Sequence, residues 1–187
     1  MAENQGKLVV VSGPSGVGKS TLLRRAISRT EAEFSVSATT REPREGETPG
    51  EDYHFVSRDA FEDMIEHGEM LEWAEVFGQL YGTPAQPVLE AIQQGRTLIM
   101  DVDVQGGRQV HEKMPEAMFV LIVPPSEEEL ARRLTERGTE TTEQLQRRLS
   151  AAQSELDAAR QSGIYRHVII NDDLETATRE VVSLIRS

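Results

Sequence analysis

Gly13-Pro14-Ser15-Gly16-Val17-Gly18-Lys19-Ser20 carries the most specific chemical signal in this chain. It fits G-x-x-x-x-G-K-[ST], a loop whose backbone N–H groups turn inward around a polyphosphate. Glycines suit such a loop because a Cβ would obstruct both the anion's approach and the φ values the turn needs. Lys19 offers a mobile positive charge to the β- and γ-phosphates, and the Ser20 hydroxyl can sit on Mg2+. A helix beginning here would add the positive end of its dipole to the anion site. The pattern predicts a nucleoside triphosphate site.

Two elements must position that loop. Leu8-Val9-Val10-Val11 is a β-branched run suited to a buried parallel strand. Leu22, Leu23, Ala26 and Ile27 recur at helical spacing, with Arg24, Arg25 and Arg29 left for the wet face. A third element, Thr97-Leu98-Ile99-Met100-Asp101-Val102-Asp103, is a hydrophobic strand ending in carboxylates. In proteins with this loop, an acid at a strand tip serves Mg2+, and Asp101 is the natural candidate. Asp103 follows two residues on, on the same face. The competing reading leaves both acids in solvent.

Other segments hold polar groups in unusual settings. Phe34–Ser37 reads as a short strand, followed by Ala38–Tyr53, whose prolines and glycines forbid a regular helix or central strand. Arg41 and Arg44 in that loop are planar readers of phosphate or carboxylate, or else simply balance the nearby glutamates. Tyr53–Val56 resumes a strand, and Phe61, Met64 and Ile65 mark a helix stopped by Gly68. Period-two alternation over Met70–Val76 puts Glu72 on a face with Met70, Ala74 and Val76. That is a costly place for a carboxylate unless something donates to it or the strand edge is wet. Gly78–Gly82 reads as a turn-rich link. Thr83-Pro84-Ala85-Gln86 reads as a helix start with Thr83 as N-cap and Pro84 at the first helical position.

Phe119–Val123 is a further buried-strand run, and Ser126–Glu129 a capping box opening a helix with Leu130 and Leu134. Arg133 and Arg137 lie one turn apart on it, and a second helix after Gly138 carries Arg147 and Arg148 beside an apolar stripe. With little to bury by itself, this pair is either a solvated hairpin or a lid bringing cations to phosphates. Val168–Ile170 is a last strand, Asn171–Asp173 a turn, and Leu174, Ala177, Val181 and Leu184 a closing helix stripe. Strands alternating with helices predict an α/β fold, a parallel sheet flanked by helices with its ligand at the carboxyl ends of the strands.

The chain has 187 residues, 37% hydrophobic and 28% charged, as in an ordinary globular domain. Its formal net charge of -12 argues against a nucleic-acid or anionic-membrane partner, both of which need a basic face. With no cysteine, disulfides and thiolate metal sites are excluded. The first residues lack the apolar segment of a signal peptide and no run reaches membrane-spanning length, so a cytoplasmic location is expected. His54, His67, His111 and His167 show no metal-ligand spacing.

Taken together, these segments resemble the guanylate kinases, P-loop enzymes that transfer the ATP γ-phosphate to GMP. The resemblance rests on GPSGVGKST (Gly13–Thr21), SATTREPREGETPGEDYHFVS (Ser37–Ser57) and GEMLEWAEVFGQLYGTP (Gly68–Pro84). It extends through DVDVQG (Asp101–Gly106), PPSEEELARRLTERGT (Pro124–Thr139) and NDDL (Asn171–Leu174), in the family's order over nearly the whole chain. It implies a single domain over 1–187: a core of 1–36, 84–125 and 164–187, a small mixed GMP-binding lobe of 37–83, and a helical lid of 126–163.

By the same resemblance, Arg41, Arg44, Tyr53 and Tyr81 would hold the GMP phosphate. Glu72 would accept from guanine N1–H and the 2-amino group, Ser37 and Thr83 would address the O6 side, and Asp103 would lie on the guanine edge. Gly13, Pro14, Ser15, Gly16, Val17, Gly18, Lys19, Ser20 and Thr21 would wrap ATP, with Arg137 and Asn171 flanking adenine. Ser20 and Asp101 would serve Mg2+, partly through water. Arg133, Arg137 and Arg148 would close over the phosphates, and Lys19, Arg41, Arg137 and Arg148 would act on the reacting groups. ATP and GMP are the implied partners, with no obligate protein partner. Leu80, Met70 and Arg166 depart from the family's usual residues and remove no reacting group.

Two other classes are weighed against this. Non-catalytic interaction modules share the fold but tend to lose the loop lysine or the Mg2+ ligands, whereas Lys19, Ser20 and Asp101 are present. Asp103-Val104-Gln105-Gly106 fits the D-x-x-G of regulatory GTPases, but no Asn-Lys-x-Asp guanine reader accompanies it. A small kinase acting on AMP or a metabolite is a third reading, and Glu72 is the residue that separates it.

Overall fold

The computed structural model describes residues 6–136 and 142–187. Strand β1 (Lys7–Ser12) leads through the glycine-rich loop into α1 (Lys19–Ile27) and β2 (Glu33–Phe34). Next come β3 (Ala38–Thr39), β4 (His54–Phe55), α2 (Arg58–Glu66), β5 (Met70–Val76) and β6 (Gln79–Pro84). The chain continues through α3 (Ala85–Gln93), β7 (Thr97–Asp101), α4 (Val104–Lys113) and β8 (Met118–Val123). Helices α5 (Glu127–Glu136) and α6 (Thr142–Ser162) precede β9 (His167–Ile170) and α7 (Leu174–Arg186).

The larger sheet is parallel throughout, in the order β2-β7-β1-β8-β9. Alternate residues of its central strands feed two faces, as the pleat requires. Val9, Val11, Ile99, Val120 and Ile122 pack with Leu22, Leu23 and Ala26 of α1 and Val181 and Ile185 of α7. Leu8, Val10, Leu98, Met100 and Phe119 pack with Val88 and Ala91 of α3 and Val110 of α4. Burial on both faces is why these strands read as unbroken apolar runs. Their carboxyl ends converge beside the glycine-rich loop.

The second sheet is mixed, in the order β4-β3-β6-β5: β3 and β4 run parallel, the other pairs antiparallel. It covers its own small core of Ala38, Phe61, Met70 and Leu80, with Phe61 of α2 fully buried. Burial of such a ring contributes about 2–3 kcal/mol. Leu80, one of the unusual residues, is thus a core side chain of this lobe. The strand expected over Phe34–Ser37 is divided instead: Glu33–Phe34 pair with β7, and pairing resumes at Ala38–Thr39 in the other sheet, so Ser35–Ser37 make the crossing.

Three more expectations change. Gly78–Gly82 is not a link: only Phe77-Gly78 turn, both at positive φ, and β6 begins at Gln79. Two such residues give the hairpin turn that matches strand twist. A Cβ on Gly82 would lie 2.5 Å from the Glu72 carbonyl oxygen, so this glycine serves close strand approach rather than a bend. Thr83 is not an N-cap: it belongs to β6, and α3 starts at Ala85 after an extended Pro84 that gives no side-chain cap. A bulge between Met70 and Glu72 interrupts the alternation of β5, burying Met70, Leu71 and Glu72 in succession while Val76 is exposed.

Helix α4 has no counterpart in the sequence reading. The helix pair α5–α6 buries more than its composition suggests: Leu130, Leu134 and Ala152 form a core with Leu145 and Leu149 packed on it. Farther along α6, Leu156 and Ala159 pack against Val104, Leu121 and Val123, anchoring that end to the larger sheet.

Candidate active site

The loop between β1 and α1 closes around a cavity of about 330 Å3 lined by backbone and side chains of Gly13–Gly16 and Gly18–Thr21, together with Asp103 and Glu155. Gly16 and Gly18 adopt φ of 88° and 89°, which a Cβ would oppose, and Gly18 is the left-handed residue that starts α1. No side chain caps α1, so its first N–H groups remain directed at the loop. Ser20 and Thr21 are exposed at this helix start, while Val17 is buried beneath the loop.

Lys19 extends to the tip of β7, where its Nζ lies 2.7 Å from Asp101 Oδ1 and donates to the Val102 carbonyl at 3.3 Å. Asp101 faces this cation because β7 runs parallel to β1, with Val11 opposite Asp101. Asp103 caps α4: its Oδ1 accepts from Gly106 N at 2.7 Å, and its carbonyl accepts from the Ser12 hydroxyl at 3.2 Å. Tyr165 in turn donates to Ser12 at 2.9 Å, and burial raises its pKa.

Arg148 of α6 reaches Ser15 in the loop, Nη2 to Oγ 3.0 Å. Arg133 of α5 is held below the loop, donating to Glu129 at 2.7 Å, the Asn171 carbonyl at 2.8 Å and the Val17 carbonyl at 3.4 Å. Asn171 is buried, and its side-chain amide donates to the same Val17 carbonyl at 2.7 Å. These two polar residues brace the loop from beneath. Arg137 lies outside the described residues.

The small lobe gathers the remaining candidates at two ends of one surface. Tyr81 and Thr83, two apart on β6, connect them. At one end the Arg41 guanidinium lies 5.5 Å from the centre of the Tyr53 ring, and Tyr53 meets Tyr81 edge-on at 6.1 Å. Arg44 is exposed beside them. At the other end Thr83 donates to Glu72 at 2.7 Å and stands 3.2 Å from the Ser37 hydroxyl. Glu72 is only 8% exposed. Its pKa is raised, mainly by loss of hydration and further by the Asp103 charge, against the Thr83 hydrogen bond and the Lys113 charge. The donor its buried setting demanded is Thr83.

Two acids at the site were not anticipated. Glu155 of α6 lines the loop cavity, its pKa raised by burial and by Asp103 and opposed by Lys19. It sits one residue from the apolar stripe at Ala152 and Leu156, a position that reads as helix surface. Glu47 grips Arg41, and in the sequence it is one of several glutamates in an irregular loop.

A glycine-rich loop and strand-tip acid at the carboxyl ends of a parallel sheet, facing a separate lobe with its own arginines and a buried carboxylate, define a P-loop phosphotransferase that takes a second nucleotide as acceptor. Comparison with known proteins agrees. The family model described as guanylate kinase matches residues 5–187. A guanylate kinase of Rhodococcus jostii is 51% identical over 187 residues, covering 98% of this chain and 89% of that one. One from Synechococcus elongatus is 48% identical over 183 residues, covering 97% and 98%. The crystal structure of guanylate kinase from Anaplasma phagocytophilum superposes with a TM-score of 0.72 at 34% identity, covering 100% of this chain and 87% of that one. The chain belongs to the guanylate kinase family. No helix among the described residues is long and apolar enough to cross a membrane.

Proposed function

We propose that this protein transfers the γ-phosphoryl group of ATP to GMP, giving ADP and GDP, and does so in the cytoplasm. The observation that carries the acceptor's identity is Glu72, a buried carboxylate with one oxygen on Thr83 and a second to offer. Guanine presents N1–H and the 2-amino group to such an acceptor. Adenine has neither and would leave the carboxylate desolvated and unmatched, a mismatch that costs a site up to roughly 10⁴–10⁵ in specificity. Ser37, Thr83 and Asp103 are assigned to the same base, and Arg41, Arg44, Tyr53 and Tyr81 to its phosphate.

The loop from Gly13 to Thr21 takes the ATP phosphates, with Lys19 leaving Asp101 to reach them. Asp101 and Ser20 are the residues we assign to Mg2+. The short contact between Asp101 and a cationic amine supports this, and hydroxyl and carboxylate oxygens suit a hard ion that keeps water and phosphate ligands. Bound there, the ion would neutralise charge on the transferring phosphate. The GMP phosphate oxygen is already a nucleophile, so no strong base is needed. Alignment, exclusion of water and neutralisation of charge supply the rate. Arg148 on Ser15, with Arg133 and Arg137, is assigned to the phosphates from the lid (126–163), and Asn171 to the adenine side through the loop it braces. The lobe (37–83) and lid are the parts we assign to closure around both substrates, which limits ATP hydrolysis.

The test is ADP production from MgATP with GMP, AMP, CMP, UMP or no acceptor. Turnover with GMP alone is expected. Turnover with another nucleotide would overturn the acceptor assignment. Binding of GMP without turnover would point to an interaction module.

A further inference from the structure

The loop bearing Arg41 contains a carboxylate engaged with that arginine. Glu47 accepts from Arg41 Nη1 and Nη2, both at 2.9 Å, and its Oε2 also takes the Arg44 backbone N–H at 2.7 Å. Nη1 donates as well to the Glu42 carbonyl at 2.7 Å. A guanidinium has five N–H groups. Three are therefore spent on Glu47 and the Glu42 carbonyl; the other two, on Nη2 and Nε, share the lateral edge, and the Tyr81 hydroxyl also hydrogen-bonds this guanidinium. Such an edge is a bidentate phosphate reader. Both side chains are largely covered, at 15% and 20% exposure, so their geometry is fixed by packing as well as charge. The Tyr53 and Phe55 rings flank the guanidinium at 5.5 and 5.7 Å.

We infer that Glu47 is a positioning residue for the acceptor phosphate: it clamps the terminal fork of Arg41 so that the lateral edge meets the phosphate already oriented. The inference rests on the assignment of Arg41 to the GMP phosphate. Glu47 also ties Arg44 into the same turn through its backbone, so one carboxylate sets both arginines of the loop. Its hydrogen bonds with Arg41 raise that side chain's pKa, against the partial loss of hydration, with the Tyr81 hydroxyl adding to the pull. The alternative is that Glu47 occupies the phosphate's own place and competes with it. The two readings predict opposite signs.

The experiment is steady-state kinetics of Glu47→Gln, Arg41→Met and the double variant, with KM for GMP and for ATP measured separately. Gln keeps the shape of Glu47 but replaces one acceptor oxygen with a donor facing the guanidinium. Glu47→Gln is expected to raise KM for GMP about tenfold, the scale of one charge-assisted hydrogen bond, with KM for ATP unchanged and kcat within about threefold. On the Arg41→Met background it should add much less, because its main target is gone and only the Arg44 backbone contact remains. An unchanged or lowered KM for GMP in Glu47→Gln, while Arg41→Met raises it, would overturn the inference and leave the phosphate role of Arg41 standing. Equal shifts in the KM for ATP would mean general loosening and would also overturn it. If Arg41→Met leaves KM for GMP unchanged, the phosphate assignment itself falls, and the inference with it.

Discussion

Thr83 donates its single hydroxyl proton to Glu72 across 2.7 Å, so the Ser37 hydroxyl 3.2 Å away must be the donor in its contact with Thr83. Ser37, Thr83 and Glu72 thus form a directed chain ending on a buried carboxylate. The chain satisfies one Glu72 oxygen and leaves acceptor capacity at the other, the arrangement a donor-bearing base edge requires.

Replacing Glu72 by Gln keeps the volume and removes the charge. The catalytic efficiency for GMP should fall roughly 100-fold, since hydrogen bonds to a charged acceptor are lost. Thermal stability of the free protein should rise, by about 1 kcal/mol, because a desolvated carboxylate is gone. Acceptor kinetics and a melting curve on the same sample check both. An unchanged GMP preference would remove Glu72 from the base site.

The raised pKa of Glu72 fixes a pH dependence with a definite sign. The folded protein holds this proton more tightly than the unfolded chain, whose glutamate titrates near 4.5. Stability should therefore decline as pH rises from about that value through the raised folded pKa, and the deficit persists above it. Glu129 behaves oppositely: Arg132 and Arg133 hold it down to about 2, so its contribution is present above 4.5 and lost as pH falls toward 2. That cluster keeps contact with solvent and is screened by salt, so its effect should be small. Urea unfolding of the wild type and Glu72→Gln across pH 4–8 isolates the first effect as a widening gap between the two. A gap that does not widen would show that Glu72 titrates normally.

The phosphate loop and parallel sheet were legible because local pattern and tertiary role coincide there. Val9, Val10 and Val11 are buried on both faces, and the loop's Gly16 and Gly18 are prescribed by φ values of 88° and 89°. The small lobe was harder to read. Gly82 looks like a turn residue until the Glu72 backbone is seen pressing on it, and Thr83-Pro84 imitates a cap while serving a strand. In both cases a contact distant in sequence decides a residue whose local meaning is different. Helix α4 escaped for the same reason: Gly106 and Gly107 are poor helix formers, yet a Cβ on Gly106 would come 3.2 Å from Glu72 Oε2. The role of Glu47 depends on a loop fold that composition does not encode.

Lys19 bridges to Asp101 at 2.7 Å, so this carboxylate compensates its charge. Lys19→Ala should lower kcat by at least roughly 100-fold, the scale on which removing one positioned donor acts in phosphoryl and acyl transfer. GMP binding, measured calorimetrically, should change little because the lobe is separate. Turnover near wild type would show that Lys19 serves Asp101 and not the phosphates.

Gly82→Ala tests how the base site is held. A Cβ there would meet the Glu72 carbonyl oxygen at 2.5 Å, Trp73 Cβ at 2.8 Å and Met70 Cε at 2.9 Å. The first two are backbone or nearly so and cannot swing aside, while the methionine end can. Positive φ plays no part at this glycine, so the cost is steric, about 1–3 kcal/mol for forced strand separation. Because the displaced backbone is that of Glu72, the KM for GMP should rise while the KM for ATP stays put. Melting curves and two-substrate kinetics read these together. Lower stability with unaltered GMP affinity would mean that the β5–β6 spacing does not set the Glu72 carboxylate, and that the Thr83 hydrogen bond alone positions it.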